Sequence, residues 1–195
     1  MIIGITGNIG SGKSTVGRYI RSQGYPVLDA DQISRELYQP STNCYQEIVK
    51  HFSENILNSE REIDRSKLAS IIFQNEHERK WLEKLVHAQI LSVLQSRSSE
   101  LLQTNKIVFW EVPLLFEAGW NVYVDLIMYV YADLNERLTR VIQRDQTTAD
   151  TIHKRIQLQQ DHRSSLRDID ILINNDSGID ELYHRVDDVL TQITQ

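Results

Sequence analysis

The sequence predicts an α/β fold in which a parallel five-stranded sheet is flanked by helices. Three observations support this fold class. Four of the eight glycines fall within the first twelve of 195 positions, and three of these lie between an apolar β-branched run and a helical pattern. Apolar runs of strand length then alternate with helical segments, the order that builds parallel sheets. Residues 43–103 are mostly helical in pattern and predict a helical insert after the second strand.

The composition fits one ordinary globular domain with a sizeable core. Apolar residues make up 41% of the chain and charged residues 25%, as in typical globular proteins. The 21 basic and 27 acidic residues give a net charge of −6, which argues against a nucleic-acid partner. A single cysteine, Cys44, excludes an internal disulfide and a cysteine-based zinc site. Without a long apolar run or a signal-like N-terminus, we expect a cytoplasmic protein with no membrane partner.

The first elements are a strand, a loop and a helix. The apolar run up to Thr6 predicts the strand, and Val16, Tyr19 and Ile20 recur at helical spacing before Gly24. Between them, positions 7–14 read Gly-Asn-Ile-Gly-Ser-Gly-Lys-Ser. This is the phosphate-binding loop pattern in the strand–loop–helix context that supports it.

Each residue type in this loop suits the binding of phosphates. Glycines let backbone N–H groups turn toward phosphate oxygens, and the helix N-terminus adds a positive dipole end. Lys13 is expected to reach the β- and γ-phosphates, and the Ser14 hydroxyl can ligate Mg²⁺. The loop therefore predicts a bound nucleoside triphosphate and leaves the phosphoryl acceptor open.

The remaining elements follow from the same periodicities. Val27–Asp29 is a second strand, and Ile33 and Leu37 indicate a helix that stops by Pro40. Beyond the insert, the pattern predicts strands at 107–110, 126–131 and 170–173, a helix at 134–144 and an amphipathic closing helix at 179–190. In parallel sheets ligands gather at the carboxyl ends of the strands.

Acidic residues follow two of these strands. If the chain stays extended through Asp29 and Asp31, both carboxylates point the same way, and one could accept a proton from an attacking hydroxyl. The alternative, equally open on spacing alone, is that Asp31 caps the following helix. Glu111 ends the third strand, where a carboxylate commonly meets the Mg²⁺ shell of phosphate-loop proteins.

Three further features admit two interpretations each. Arg137, Arg140 and Arg144 share one helix face, as solvated surface residues or as part of a mobile lid that clamps the triphosphate. The pattern at 113–117 favours a strand-to-helix turn with core leucines over a functional segment. His87, near an apolar helix face, is more often a structural than a functional residue.

Taken together, the segments resemble the dephospho-CoA kinase family over nearly the whole chain. The segments that carry this resemblance are Ile5–Thr15, Tyr25–Asp31 with Arg35, Ile63–Leu68 with Phe73, Val112–Glu117, Arg137–Asp145 with Arg155 and Gln159, and Asp170–Asn175. Glu111 stands where that family usually has Asp, and Ala88 where it usually has Pro.

The resemblance implies an activity and a set of site residues. The reaction is transfer of the γ-phosphoryl group of ATP to the ribose 3′-hydroxyl of dephospho-CoA, the last step of coenzyme A biosynthesis. Asp31 would be the base, with Lys13 and Arg140 also catalytic. ATP would be held by Gly10, Ser11, Gly12, Lys13, Ser14, Thr15 and Arg144, Mg²⁺ by Ser14 and Glu111, and dephospho-CoA by Asp31, Arg35, His87 and Phe116.

The resemblance also implies a division of the chain. Residues 1–38, 104–138 and 166–195 would form the nucleotide-binding core, 39–103 the helical acceptor-binding insert, and 139–165 the lid. The main alternative is another phosphate-loop kinase that acts on a nucleoside or nucleotide. A nucleotide-dependent switch is a weaker alternative, because the chain has no guanine-reading Asn-Lys-x-Asp motif.

Overall fold

The structure is a computed structural model that describes residues 1–145 and 168–194. Its strands are β1 (Ile2–Thr6), β2 (Val27–Asp29), β3 (Val108–Glu111), β4 (Leu126–Tyr131) and β5 (Ile171–Asn174). Its α-helices are α1 (Lys13–Ser22), α2 (Ala30–Leu37), α3 (Asn43–Phe52), α4 (Arg65–Gln74), α5 (Glu76–Leu101), α6 (Leu134–Asp145) and α7 (Ile179–Thr194), and short 3₁₀ helices occupy Glu54–Ile56 and Trp120–Tyr123.

The five strands form one sheet in the order β2-β3-β1-β4-β5, which confirms the predicted parallel sheet. β1 pairs in parallel with β3, where Ile5 lies level with Glu111, and with β4, where Thr6 lies level with Tyr129. The chain crosses to β2 and β3 on one side of β1 and to β4 and β5 on the other. The carboxyl end of β1 is therefore the point at which ligands bind in sheets of this kind.

The hydrophobic core of the sheet unit is formed by the central strands together with α1 and α7. Inward-facing residues of three central strands and two helices are buried together, among them Ile3, Ile5, Val16, Ile20, Phe109, Met128, Val130, Leu182 and Val186. α1 packs on β1 and β3, and α7 packs on α1 and β5. Burial of each such side chain contributes about 1.5–3 kcal/mol, so the central strands hold the loop after β1 on a rigid base.

The chain divides into two compact units. The sheet unit comprises Met1–Leu28 and Glu100–Gln195 in its described parts, and the helical unit comprises Asp29–Ser99. The helical unit has its own buried residues, including Ile33, Leu37, Ile48, Leu68, Leu82 and Leu94. The acceptor-binding role of 39–103 stays a prediction, as does the lid at 139–165, of which 146–165 lie outside the described residues.

Two local features differ from the predictions. The predicted strand-to-helix turn at 113–117 leads into a 3₁₀ helix, but only one of its two leucines is in the core: Leu115 is buried, whereas Leu114 is exposed. β5 spans Ile171–Asn174, one residue later than predicted, whereas β3 begins one residue later, at Val108, and ends at Glu111 as expected. Across the described ranges, no helix combines the length and apolar character needed to cross a membrane.

Candidate active site

The loop after β1 has the geometry of a phosphate-binding loop. Gly7, Gly10 and Gly12 have φ angles of 144°, 77° and 99°, and α1 begins directly afterwards at Lys13. At Gly12 a side chain is excluded twice, because its φ is positive and a Cβ would lie 2.2 Å from the Nδ2 atom of Asn175. The predicted strand, loop and helix are thereby confirmed.

The Lys13 side chain lies over this loop. Its Nζ donates hydrogen bonds to the carbonyl oxygens of Gly7 at 2.6 Å and Asn8 at 3.0 Å, and the residue is only 8% exposed. A buried ammonium group is costly unless it is paired or hydrogen-bonded. The loop carbonyls therefore keep the charge at the place where the loop would receive phosphates.

Ser14 and Glu111 form the second polar feature of the loop. The Ser14 hydroxyl donates to Glu111 Oε1 at 2.6 Å, and Glu111 is 6% exposed at the end of the neighbouring strand. One turn along α1, a Cβ on Gly17 would lie 2.5 Å from Glu111 Oε2, so the absence of a side chain there leaves room for this carboxylate.

A hydroxyl and a carboxylate oxygen fit the donor preference of Mg²⁺. Among the described residues, no group of three or more His, Cys, Asp or Glu side chains could hold a metal ion. A magnesium ion at Ser14 and Glu111 would therefore take its other ligands from phosphates and water, which is usual for this ion.

A cavity of about 330 Å³ lies beside the loop and is lined by most of the residues predicted to bind the nucleotide. We call it the loop cavity, and it is lined by Gly10, Gly12, Lys13, Ser14, Thr15, Arg18, Arg140, Val141 and Arg144. Arg18 was not predicted, although its place one turn after Ser14 on α1 signals that it faces the same side. The four basic side chains give the cavity a charge that suits a polyphosphate.

Asn175 links this cavity to the end of β5. Its Nδ2 donates to the carbonyl of Ser11 at 2.7 Å, and its own carbonyl accepts from Arg140 Nη2 at 2.9 Å. Asn175 is buried, and its bond to Ser11 is made away from water, whereas the bond from Arg140 is partly buried. One asparagine thus holds the loop and a cavity arginine together, a role that the sequence analysis did not assign.

Arg137 departs from the other two arginines of its predicted face. Arg140 and Arg144 line the loop cavity, whereas Arg137 is 5% exposed and does not line it. Within residues 1–145 and 168–194, its Nε and Nη1 atoms have no hydrogen-bond partner. Arg155, the fourth arginine considered, lies outside the described residues.

The structure resolves the two interpretations of Asp31 in part. α2 starts at Ala30, and its cap is Asp29, whose Oδ1 accepts from the backbone N–H groups of Asp31 at 2.8 Å and Gln32 at 3.2 Å. The interpretation of Asp31 as the cap is wrong, and so is the extended chain assumed through position 31. The Asp31 side chain is an exposed carboxylate in the first turn of α2.

Asp31 lines a second cavity, of about 350 Å³, which lies wholly in the helical unit. We call it the helical cavity, and its lining residues are Asp31, Ser34, Arg35, Tyr38, Arg65, Leu68, Ala69, Ile72 and Leu82. Arg35 was predicted here, but Tyr38 and Arg65 were not. His87 is an exposed residue of α5 that is not among these lining residues, and Phe116 is half-buried in the turn after β3 in the sheet unit.

The fold and the loop define the class of protein. A parallel sheet with the order β2-β3-β1-β4-β5, a glycine loop that runs into α1 and a basic cavity beside it are the features of a phosphate-loop kinase fold.

Comparison with known proteins narrows this class. A sequence model of a protein family, described as Dephospho-CoA kinase, matches residues 1–181. The chain is similar to a dephospho-CoA kinase of Geobacillus kaustophilus, with 36% identity over 193 residues that cover 98% of this chain and 96% of the relative. The chain therefore belongs to the dephospho-CoA kinase family, and it is an ATP-dependent kinase.

Solved structures agree with this assignment. A protein of Thermus thermophilus shares 34% identity and a TM-score of 0.84, with 100% of this chain and 98% of that chain covered. The dephospho-CoA kinase of Campylobacter jejuni shares 28% identity and a TM-score of 0.75, with 98% and 96% covered.

Proposed function

We propose that the chain performs the reaction of its family with ATP in the loop cavity and dephospho-CoA in the helical cavity. The γ-phosphoryl group would pass to the ribose 3′-hydroxyl, and the products would be coenzyme A and ADP. The observation that carries the proposal is the loop cavity, where Lys13, Arg18, Arg140 and Arg144 surround a glycine loop of the correct pattern.

The loop cavity suits the chemistry of phosphoryl transfer. Charge spreads over the phosphoryl oxygens in the transition state, so catalysis consists largely of positioning and electrostatic stabilisation. Lys13 would contact the β- and γ-phosphates, and Arg140, held by Asn175, would lie against the same oxygens. Arg144 would bind the nucleotide, together with the loop backbone from Gly10 to Thr15.

Ser14 and Glu111 are the residues proposed to hold magnesium. Their hydrogen bond places a hydroxyl and a carboxylate oxygen side by side at the start of α1. When bound, the ion would neutralise negative charge on the β- and γ-phosphate oxygens. The Ser14 hydroxyl and the buried Glu111 carboxylate would orient the ion through their side-chain oxygens.

Asp31 is the proposed base on the acceptor side. The ribose 3′-oxygen forms the new bond to the γ-phosphorus, the bond from that phosphorus to the ADP oxygen breaks, and the hydroxyl proton passes to the Asp31 carboxylate. Since Asp29 caps α2, the Asp31 carboxylate is not needed as the cap. Arg35 would bind the acceptor in the same cavity, and His87 and Phe116 remain proposed acceptor contacts by family resemblance.

An acceptor series tests the proposed reaction. ADP release is measured with dephospho-CoA, adenosine, AMP and pantetheine, and the phosphorylated position is read by ³¹P NMR. We expect release to depend on dephospho-CoA and the product to carry a 3′-phosphate. Faster release with AMP or adenosine would identify a nucleotide or nucleoside kinase instead.

Replacement of Asp31 tests the assignment of the base. Asp31→Asn removes the proton acceptor and keeps the side-chain size, so we expect kcat to fall by about 10²- to 10⁴-fold with unchanged ATP binding and melting temperature. Glu47→Gln is the matched control, because Glu47 is an exposed acid of the same unit on α3. A variant Asp31→Asn with wild-type turnover would remove Asp31 from the mechanism.

A further inference from the structure

The helical cavity is lined by two arginines, Arg35 and Arg65, in addition to the proposed base Asp31. Arg35 reaches it from α2 and Arg65 from α4, and a wall of four apolar or small side chains completes it: Leu68, Ala69, Ile72 and Leu82. A cavity of about 350 Å³ lies at the small end of the range for small-molecule sites. It is large enough for part of a ligand that has one charged portion and one apolar portion.

Neither Arg35 nor Arg65 forms an ion pair with a carboxylate of residues 1–145 or 168–194. The acid next to Arg65 is occupied elsewhere, because Asp64 caps α4 by accepting from the backbone N–H groups of Ser66 at 2.9 Å and Lys67 at 3.2 Å. The cavity therefore presents two guanidinium groups to any ligand that enters it.

The ring of Tyr38 lies beside the guanidinium group of Arg65. The Arg65 guanidinium carbon lies 5.8 Å from the centre of the Tyr38 ring, within the range of a cation–π interaction. Burial raises the pKa of the Tyr38 hydroxyl, with a further rise from Cys44 and an opposing effect of Arg65. A tyrosine hydroxyl is protonated at neutral pH even at its ordinary pKa, so Tyr38 adds no negative charge to compete with an anion for Arg65.

We propose that Arg65, supported by Tyr38 and joined by Arg35, binds the diphosphate of dephospho-CoA and makes the enzyme select this acceptor. The inference rests on the proposed function, since it takes the ribose 3′-hydroxyl to lie at Asp31. The diphosphate is attached to the 5′-carbon of that same ribose, so it falls within the same cavity. Its two negative charges match two guanidinium groups, which bind phosphates through paired hydrogen bonds.

The apolar wall then receives the chain beyond the diphosphate. Leu68, Ala69 and Ile72 belong to one face of α4, the helix that begins with Arg65. The pantetheine arm of dephospho-CoA is attached to the far phosphate and carries methyl and methylene groups. The helical cavity thus offers a carboxylate for the hydroxyl, guanidinium groups for the diphosphate and apolar side chains for the arm.

The test compares variants in steady-state kinetics and in calorimetric binding of dephospho-CoA without ATP. For Arg65→Gln we expect KM and Kd for dephospho-CoA to rise about 10- to 100-fold, with kcat within about threefold and KM for ATP unchanged. Arg65→Lys keeps the charge but not the fork, so its KM should fall between those of the wild type and Arg65→Gln. Arg79→Gln is the control, an arginine on α5 whose partners are the surface acids Glu76 and Glu83.

Each outcome supports or overturns the inference. Wild-type KM for dephospho-CoA in a folded Arg65→Gln variant overturns it, and so does an equal rise in KM for ATP. If Arg65→Gln does not fold, the folded Arg65→Lys variant decides, and an unchanged KM there overturns the inference. Failure of the proposed function has a different signature, because the wild-type protein would then release no ADP in response to dephospho-CoA.

Discussion

Gly17 on α1 offers a sharp test of the role given to Glu111. It lies one turn after Ser14, and a Cβ at this position would be 2.5 Å from Glu111 Oε2. The substitution Gly17→Ala therefore forces the carboxylate to move. Glu111 is 6% exposed, and its carboxylate accepts a hydrogen bond from Ser14 at 2.6 Å. A shift of the carboxylate would therefore weaken this hydrogen bond.

The size of the effect follows from these distances. To reach an ordinary contact of 3.4 Å, the carboxylate oxygen must retreat by about 0.9 Å, and an error of about 1 Å in a reacting geometry can cost about 10²-fold in rate. We expect kcat to fall by about 10- to 100-fold and half-saturation with Mg²⁺ to need a higher concentration.

Stability is expected to respond differently from activity. Alanine is favoured over glycine in a helix by about 1 kcal/mol, and loss of the bond between Ser14 and Glu111 costs about 1 kcal/mol. These opposed effects nearly cancel, so the melting temperature should change by less than about 4 °C.

The assay is dephospho-CoA-dependent ADP release over a magnesium titration, with melting followed by circular dichroism. Gly178→Ala is the matched control, because a Cβ there would meet nothing within 4 Å. Full turnover and an unshifted magnesium response in a folded Gly17→Ala variant would show that the position of Glu111 does not matter for the reaction.

Two further predictions concern residues that hold the sites in place. Asp29→Ala removes the α2 cap and should lower the free energy of unfolding by about 1 kcal/mol in urea melts. Asp29→Asn should retain most of that stability. Equal stability of the wild type and both variants would contradict the role of Asp29 as the cap. Asn175→Ala removes the hydrogen bond to Ser11 and should raise KM for ATP by about tenfold. Asn174 is the exposed neighbour, and Asn174→Ala should leave KM for ATP unchanged. Equal KM values for the two variants would show that the loop does not need this bond.

Local features of this protein could be predicted because their causes lie within a few residues. The glycine loop, its flanking strand and α1 are encoded by consecutive positions, and the conformations of Gly10 and Gly12 agree with the pattern. Period and run length also located the five strands, since a strand or helix depends mainly on the spacing of its own apolar residues.

The prediction failed where one residue decided between two local structures. Asp29 and Asp31 are both suitable caps; β2 ends at Asp29 as predicted, but α2 begins at Ala30, so Asp29 is the cap. The spacing of apolar residues shows which face of a helix is buried and does not fix the residue at which the helix begins. The two leucines after β3 differ in burial for a similar reason, as the turn geometry there turns only Leu115 inward.

By itself, then, the sequence determined the fold class, the phosphate loop and the resemblance to one kinase family. Only the tertiary structure decided which distant residues meet that loop: Ser14 and Glu111 are 97 positions apart, and Ser11 and Asn175 are 164 apart. It also decided that Arg65 and Tyr38 share a cavity with Asp31. The physical reason is that backbone preferences act over a few residues, whereas such contacts exist only after the sheet and the helices have packed.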